Sequence, residues 1–534
     1  MRATTFKWIA LAVFATAALL FLDWVPDDAW ISFRYAGNIA AGEGPVFNPG
    51  ERVEGYSNPL WTLVLAGAGM AGADLPLFGV WLGFLCALGL VWLALTLFER
   101  IAPEPREWTL RLGAAVFLAA SLPMLFWATS GMETMASALA LLAGALLHLR
   151  AVGSDRPRLH VAPCILFLAA AFLRPEGVAF LAFNTLVLFV QYRARLPRSV
   201  ILTLAGVWIL FAAVTAWRFG YYGSIVPNTA VAKPHAQPAY HEPLLRSVRY
   251  FSRFFMVSGL GLLAPFWWVA IRRGPRYLVH YLGGLVLLQV AFIVLVGADV
   301  LRFDRFTVPI HALLIAIALV GAARWSARRP IVPRLFLLAA VVALALNSVR
   351  VQRALDKTCI HDWMHARVHG ALGEVLAEAL PPDTWIVFNE VGALPYRASL
   401  PTIDMIGLTD PVTAEFVRRS YVDFGTSDTD WCGEQIAGYV FSRQPDCIIL
   451  PSYRAIDFGA DRAPADAFYA IWRQVYLHPE FKSGFKPLLS VRVHEHKYFS
   501  VFVREGLELN RLHLSPLERA DCAEVVYPPP RTGN

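Results

Sequence analysis

Charged residues are scarce in this chain. Only 16% of its 534 residues are charged, whereas 57% are hydrophobic, and the mean hydropathy is +0.50. This composition excludes an ordinary water-soluble protein of this length and indicates a polytopic membrane protein. Cysteine is also scarce, with six residues, and their spacing predicts no zinc site. The sequence shows no internal repeat and no nucleotide-binding domain.

Apolar runs of bilayer-crossing length predict about eleven transmembrane spans. The two runs at 159–173 and 177–192 are short and separated by LRPEG, so a broken or re-entrant pair is the alternative there. The first run could be a signal peptide, but no small-residue cleavage site precedes the acidic pair after it, and a retained span is expected. The predicted spans are 6–23, 75–98, 110–127, 134–149, 159–173, 177–192, 199–222, 254–271, 277–297, 306–323 and 333–350.

Arginines cluster in alternate short loops, which set the orientation of a membrane protein. Their positions predict a cytoplasmic amino terminus. Residues 351–534 have the charge density and short strand-like runs of a soluble domain, so a carboxy-terminal domain on the outer face is expected after a membrane domain at 1–350. The net charge of +7 is therefore assigned to membrane orientation, and no nucleic acid partner is expected.

Five groups of charged residues fall where this topology places the outer face. An ionised side chain at membrane depth costs about 2.5–3.5 kcal/mol, so such groups need a reason. Each also has a structural alternative, such as a helix cap for the acidic pair or a simple turn for RPEG. The groups are Asp27, Asp28, Arg34, Glu51, Arg52 and Glu54; Glu133 in SGMET; Arg174 and Glu176 in LRPEG; Arg218 through Lys233, which includes Asn228; and Asp299, Arg302, Asp304 and Arg305.

The convergence of these groups on one face predicts sugar transfer from a lipid phosphate. A carboxylate, Asp27 or Asp28, would deprotonate or orient the acceptor hydroxyl. Cationic side chains would stabilise the departing phosphate, because negative charge grows there in the transition state. The candidates for that second role are Lys233, Arg302 and Arg305.

The motifs resemble those of one membrane enzyme family. The run DDAWISFRYAGNIAAGEGPVFNPGERVEGYSN is similar to the first outer loop of polyprenyl-phosphate-dependent GT-C glycosyltransferases, and most similar to that of the terminal arabinofuranosyltransferase (AftB) family. Counterparts of SGMET, RPEG, YYGSIVPNTAVAK and IDMIGLTD follow in the same order. One loop departs from the family pattern, which is commonly closer to GGDxMxxxRF. Here it reads GADVLRFDRF, so Asp299 and Arg305 match while the first glycine is displaced or lost.

The resemblance implies a GT-C fold, which is an α-helical polytopic bundle with a carboxy-terminal α/β periplasmic domain. It implies a first periplasmic loop at 24–74 with two surface helices, the first of which begins at DAWISFRYAGNIAAG. The family would transfer D-arabinofuranose from decaprenyl- or undecaprenyl-phosphate to a cell-surface glycan, lipopolysaccharide or pilin acceptor. Carried over by position, the catalytic aspartate is Asp27 or Asp28, and Glu54 is a further acidic site residue.

The expected donor and acceptor contacts extend beyond the two aspartates. They are Arg34, Glu54, Tyr56, Asn58, Glu133, Arg174, Glu176, Asn228, Lys233, Asp299, Arg302 and Arg305. No cofactor is expected with certainty, although adjacent carboxylates leave a divalent cation open.

The alternative function is a transporter or flippase of lipid-linked sugars. Such a protein should show paired halves and ionisable groups near mid-span, and this sequence shows neither.

The carboxy-terminal segment predicts an α/β sandwich. PDTWIVFNEVGALPYRASLPTIDMIGLTDP indicates a strand, a turn, a short helix and a second strand; PDCIILPS indicates a buried strand, and LLSVRVHEHKYFSVFVRE a hairpin. An exposed or interface stripe is favoured over a metal site for the histidines at 361, 365 and 369. Asp404, Thr409 and Asp410 could face the membrane site or close a turn.

Overall fold

A computed structural model describes residues 3–154, 156–193, 196–232, 243–297, 299, 301, 303–353, 360–424, 429–452, 470–494, 497–519 and 525–526. Helices dominate the first part of the chain, with short 3-10 turns at Pro105–Glu107, Pro157–His160, Leu260–Leu263 and Arg305–Thr307. The helices are α1 (Ala3–Leu19), α2 (Asp27–Ala40), α3 (Pro59–Met70), α4 (Leu75–Ile101), α5 (Trp108–Ala119), α6 (Leu122–Ala128), α7 (Thr134–Val152), α8 (Val161–Leu173), α9 (Gly177–Tyr192), α10 (Arg198–Tyr222), α11 (Asn228–Ala232), α12 (Pro243–Ser258), α13 (Ala264–Arg273), α14 (Arg276–Val296), α15 (Val308–Ser326) and α16 (Val332–Arg353).

Fewer helices than predicted are long enough to cross a membrane. Among the described residues six pass by length and composition, and two bent pairs, α5 with α6 and α12 with α13, raise the number to eight. The predicted count of about eleven is therefore not confirmed. Three predicted spans fall on α1, α8 and α9, which have 17, 13 and 16 residues. At 1.5 Å per residue these helices are about 20–26 Å long, shorter than the roughly 30 Å apolar core of a bilayer.

Two predicted spans are broken rather than continuous. The span at 110–127 bends by 55° between α5 and α6, where Ser121 caps α6 by accepting a hydrogen bond from the Met124 amide. The span at 254–271 bends by 84° after α12, where Gly259 takes a left-handed conformation with φ 69°. Apolar content alone predicts neither break, because in each pair the two helices together have the length and apolar composition of one membrane span.

Helix α15 forms the centre of the bundle. Every residue from Val308 to Ala322 is buried, and α13 crosses it at Gly321, where a Cβ atom would lie only 1.8 Å from the Phe266 carbonyl oxygen. The segment that carries Arg305 leads directly into α15. A helix whose first fifteen residues are buried therefore fixes the position of that segment.

The rest of the chain folds around one six-stranded sheet and is called the sheet domain below. Strand order is β2-β1-β3-β5-β4-β6; β1 is parallel to β2 and β3, and the other pairs are antiparallel. Its elements are α17 (Ile360–Ala379), β1 (Ile386–Phe388), α18 (Ala393–Ala398), β2 (Thr402–Asp404), α19 (Pro411–Phe424), α20 (Thr429–Ser442), β3 (Cys447–Ser452), α21 (Ala470–Leu477), α22 (Pro479–Gly484), β4 (Phe485–His494), β5 (Lys497–Arg504), α23 (Ser515–Arg519) and β6 (Val525–Val526).

Helices cover both faces of this sheet. Successive residues of a strand point to opposite faces: Cys447 and Ile449 of β3 pack in the cluster that includes α17 and α18, whereas Ile448 and Leu450 pack in the cluster that includes α20 and α21. The predicted α/β sandwich and the predicted β4–β5 hairpin are confirmed. A terminal domain of this kind can present loops from one sheet edge to the bundle.

Helix α2 lies between the bundle and the sheet domain. The resemblance implied a surface helix, but eight consecutive residues, 29–36, are buried. Arg34 donates hydrogen bonds to the carbonyl oxygens of Pro395 and Leu400 at 2.5 and 2.7 Å. Asn48 exchanges two hydrogen bonds with the backbone of Thr402, at 2.9 and 3.0 Å, and so adds a partner to the edge strand β2.

The first residue of α2 also binds the sheet domain. The Asp27 carboxylate accepts a hydrogen bond from the Ala393 amide at 2.9 Å. This approach requires a glycine at 392, because a Cβ atom there would lie 2.2 Å from the Asp27 carbonyl oxygen and 2.3 Å from its Cγ atom. The start of α2 is thus fixed by backbone contact with the sheet domain.

Gly392→Ala tests this contact. We expect the added methyl group to push the sheet domain away from Asp27 and to lower the free energy of unfolding by about 1–3 kcal/mol, the usual cost of overpacking. Gly438→Ala in α20 is the matched control, because a Cβ atom there meets no atom within 4 Å. Hydrogen exchange of the α2 and α18 amides is the measurement. Equal protection of these amides in both variants would contradict the described contact.

Candidate active site

One cavity of about 310 Å³ collects most of the predicted site residues. It lies where the first loop, the starts of α7 and α9 and the segment before α15 meet. Its wall contains four carboxylates and two guanidinium groups together with apolar side chains. The predicted residues that line it are Asp28, Tyr56, Asn58, Glu133, Arg174, Glu176, Asp299 and Arg305.

The two adjacent aspartates have different surroundings. Consecutive helical residues point about 100° apart, so Asp27 and Asp28 cannot share one environment at the start of α2. Asp28 lines the cavity, and its Oδ2 atom lies 4.0 Å from Nη1 of Arg305. Asp27 is not among the lining residues and binds the sheet domain at Ala393. Geometry therefore favours Asp28 over Asp27 as the group that meets a substrate.

Arg305 is held in place by Asp299. Its Nε and Nη2 atoms donate to the two oxygens of that carboxylate at 3.0 and 3.2 Å, a bidentate arrangement that orients the guanidinium plane. Phe303 and Asp304, just before it, both have left-handed backbone conformations, with φ 63° and 49°. Non-glycine residues rarely adopt this conformation, so the segment is bent against its local preference to deliver Arg305 to the cavity.

Arg174 connects three parts of the chain. Its Nη1 atom lies 2.8 Å from Glu133 Oε1 and its Nε atom 2.5 Å from Glu176 Oε1. The other oxygen of Glu133 accepts a hydrogen bond from Asn58 at 2.7 Å. All four side chains are buried, which is tolerable only because each charge has a partner. The network joins the starts of α3, α7 and α9 in the wall of the cavity.

Several predicted site residues lie elsewhere. Glu54 pairs with Arg218 through two bonds of 2.7 and 2.8 Å, outside the cavity lining; burial raises its pKa and Arg218 partly offsets that shift. Asn228 donates to the Gly407 carbonyl oxygen at 2.6 Å and therefore ties α11 to the sheet domain. Arg34 has the interface role described above. Lys233 and Arg302 lie outside the described residues.

A histidine of the sheet domain binds Asp27, next to the cavity-lining Asp28, and the histidine pattern in the sequence does not predict this contact. His369 is fully buried; its Nδ1 atom lies 3.5 Å from Asp27 Oδ1 and its Nε2 atom 3.2 Å from Glu390 Oε2. Lys497 in turn pairs with Glu390. The interface alternative for the histidine stripe holds for His369, while the side chains at 361 and 365 lie outside the described residues. The position of Glu390 could have been predicted as a site candidate from the sequence, because it directly follows a buried parallel strand.

The loop after β2 closes a turn rather than facing the cavity. Asp404 accepts hydrogen bonds from the amides of Ile406 and Thr409, both at 2.8 Å. Burial raises the pKa of Asp404 to about 6, and these backbone donors partly offset that shift. The loop packs directly on the first loop, where a Cβ atom at Gly55 would lie 2.7 Å from Thr409 Cγ2.

The described residues offer no ready metal site. No three histidine, cysteine, aspartate or glutamate side chains among them are grouped so that they could hold an ion. In the cavity, three of the four carboxylates bind arginine directly. The donor set described here therefore does not fit a resident divalent cation, and no step is assigned to one.

Two curated relatives of this chain have the same name. The chain is 32% identical over 271 residues to a terminal beta-(1->2)-arabinofuranosyltransferase of Mycobacterium tuberculosis, covering 48% of this chain and 42% of the relative. It is 26% identical over 351 residues to the enzyme of the same name from Corynebacterium glutamicum, covering 58% and 50%. The resemblance inferred from the motifs is thereby confirmed. The chain spans about half the length of the curated relatives that it matches.

The fold of the chain matches two solved structures of one protein. The chain matches ArnT from Cupriavidus metallidurans in the apo state with a TM-score of 0.53 and 14% identity, covering 93% of this chain and 97% of ArnT. The match to the same protein bound to undecaprenyl phosphate has a TM-score of 0.55 and 15% identity, covering 95% and 99%.

The chain has the ArnT fold. The GT-C prediction and the prediction of a multi-pass membrane protein are therefore confirmed. Residues 359–502, which form most of the sheet domain, also match a family described as a domain of unknown function (DUF8728). At this level of identity ArnT supports the architecture alone.

Arg174→Met tests the buried network. The change leaves Glu133 and Glu176 without their shared cation, so we expect the free energy of unfolding to fall by about 3–5 kcal/mol. Arg419→Met is the matched control, because it removes an exposed partner of Glu415 and should cost less than about 1 kcal/mol. The melting temperature of each purified protein in detergent is the measurement. Equal melting temperatures of the two variants would show that the network does not stabilise the fold.

Proposed function

We propose that the chain is a membrane glycosyltransferase that transfers D-arabinofuranose from a polyprenyl-phosphate donor to a glycan or glycoprotein acceptor outside the cytoplasm. The single observation that carries this proposal is the placement of Asp28 and Arg305 in one cavity, 4.0 Å apart. A carboxylate and a guanidinium at this spacing suit the two demands of the reaction, which are a base for the acceptor and a counter-charge for the leaving phosphate.

Asp28 acts as the base in this proposal. The acceptor hydroxyl attacks the anomeric carbon, its proton passes to the Asp28 carboxylate, and a new carbon–oxygen bond forms. The bond between the anomeric carbon and the phosphate oxygen breaks, and polyprenyl phosphate leaves with the electron pair. Arg305 contacts that phosphate, and Asp299 is the positioning residue that orients Arg305 through the bidentate pair.

The cavity lining has an excess of carboxylates over cations. A phosphate would be repelled by unpaired carboxylates, so the pairing of Glu133, Glu176 and Asp299 with arginines supports donor binding. Lys233 and Arg302, which we propose as further phosphate contacts, would bring the charges of the lining into balance. Tyr56 and Asn58 remain proposed sugar contacts, since both line the same cavity.

An apolar wall suits the lipid part of the donor. Phe292, Leu295 and Val296 at the end of α14, together with Phe306 before α15, line one side of the cavity. Leu295 is 84% exposed, so this wall continues onto the outer surface of the bundle, where lipid would lie. A polyprenyl chain entering along α14 would place its phosphate next to Arg305 without crossing the polar first loop.

The proposed reaction requires the sheet domain and the cavity to lie on the same side of the membrane. We propose that the sheet domain lies in the periplasm, that the amino terminus is cytoplasmic, and that the protein resides in the bacterial inner membrane as two domains, 1–350 and 351–534. The contact of Asp27, the neighbour of Asp28, with Ala393 and His369 supports an approach of the acceptor from the side of the sheet domain. A cell-surface glycan, lipopolysaccharide or pilin would reach Asp28 from that side.

Asp28→Asn and Asp27→Asn separate the two aspartates. Removal of the base should lower turnover of polyprenyl-phosphate-arabinose by about 100- to 10,000-fold in Asp28→Asn. Asp27→Asn keeps an oxygen acceptor for the Ala393 amide, so we expect a loss of about tenfold or less. The measurement is release of polyprenyl phosphate by purified protein with a glycan acceptor. A reversed order of the two variants, or full activity in both, would overturn the assignment of the base.

The same assay tests the sugar. Polyprenyl-phosphate donors that carry a hexose or another pentose are supplied in parallel at equal concentration. Preferential turnover of the arabinose donor is expected. Equal or faster turnover of another sugar would overturn the arabinose assignment while leaving the assignment of Asp28 intact.

A further inference from the structure

A second cavity, of about 740 Å³, opens at the end of the bundle opposite the candidate active site. Three arginines line it, and each comes from the last turn of a different helix: Arg100 of α4, Arg150 of α7 and Arg324 of α15. We call it the arginine cavity. Its apolar wall consists of Leu97, Ile101, Leu146, Leu149, Leu278 and Val320.

The two cavities lie at opposite ends of shared helices. Glu133 and Phe306 both line the candidate active site. Helix α7 begins directly after Glu133, and α15 begins two residues after Phe306. Helix α15 has 19 residues, which at 1.5 Å per residue is about 29 Å. That distance matches the roughly 30 Å apolar core of a bilayer. The arginine cavity therefore opens at the membrane face opposite the sheet domain.

The charge of the arginine cavity is unbalanced. Glu107 is the one carboxylate among the described residues that line it, and its Oε2 atom already accepts a hydrogen bond from the Glu104 amide. Within the described part of the chain, the guanidinium groups of Arg100, Arg150 and Arg324 form no ion pair or hydrogen bond. Three cations that converge on one space and face a single carboxylate favour an anionic occupant.

Orientation in the membrane does not explain the convergence. Arginines on one side of a membrane protein set its topology wherever they stand in short loops. Arg328, Arg329 and Arg334 belong to the same end of the bundle and do not line the cavity. The three lining arginines differ from them because they surround a space between helices with an apolar wall behind it.

We propose that the arginine cavity binds the phosphodiester headgroup of an anionic phospholipid from the leaflet opposite the sheet domain. Guanidinium groups pair well with phosphate oxygens, and basic pockets between helices on that side of a membrane suit acidic headgroups. The apolar wall receives the first segments of the acyl chains, which a soluble phosphate lacks. This binding site is separate from the proposed transferase chemistry and does not rest on it.

Native mass spectrometry of the full-length protein tests the proposal. Delipidated protein in detergent is titrated with phosphatidylglycerol and, in parallel, with phosphatidylcholine. We expect one phosphatidylglycerol to be retained in preference. In Arg100→Gln/Arg150→Gln/Arg324→Gln the affinity for that lipid should fall at least tenfold. The matched control, Arg328→Gln/Arg329→Gln/Arg334→Gln, removes the same charge from the same end and should stay within about twofold of the unchanged protein.

Each remaining outcome counts against the proposal. Unchanged phosphatidylglycerol binding in the cavity variant, or an equal loss in the control, would show that no specific site exists. Displacement of the lipid by inorganic phosphate at equal concentration would assign the cavity to a soluble phosphate instead. Arg324→Gln alone, expected to weaken binding about threefold, keeps the test decisive if the triple variant does not fold. Bound lipid is the readout, so loss of transferase activity would not affect the result.

Discussion

A buried guanidinium holds the first loop and the sheet domain together. Arg34 donates to the carbonyl oxygens of Phe47, Pro395 and Leu400 and to the side chain of Asn48. Burial lowers the pKa of Arg34 to about 10, so the group still carries its charge at neutral pH. That charge is stabilised by carbonyl dipoles drawn from two distant parts of the chain. Separation of the sheet domain would remove two of its four acceptors, the carbonyl oxygens of Pro395 and Leu400, so the intact contact holds α2 in one orientation.

The fixed orientation of α2 gives the adjacent residues Asp27 and Asp28 different surroundings. With its axis held by Arg34, the helix directs Asp27 to the Ala393 amide and Asp28 to the cavity. Gly392 permits the first contact, because any side chain there would occupy the space of Asp27. The sheet domain therefore contacts the start of the helix that carries Asp28 through backbone groups, and Asp27 fixes that start in place.

Periodicity and motifs predicted much of this architecture. The apolar runs located the helices, and β1, α18, β2 and the β4–β5 hairpin lie where the strand patterns placed them. The order of the motifs also selected residues that meet in one cavity, such as Glu133 and Arg174. What the sequence did not predict depends on contacts between distant segments. Nothing local marks Glu54 as a partner of Arg218, and the aromatic neighbours of His369 come from β1 and β5.

The ion pairs of the cavity differ in a way that bears on its chemistry. Glu133, Glu176 and Asp299 lie within 3.0 Å of an arginine, whereas Asp28 lies 4.0 Å from Arg305. A short, charge-assisted contact of this kind holds both side chains in one geometry. The Asp28–Arg305 distance is longer, and in the proposed reaction the acceptor hydroxyl meets the first group and the donor phosphate the second. The short pairs therefore hold the cavity walls, and the longer pair is where we propose that the reaction takes place.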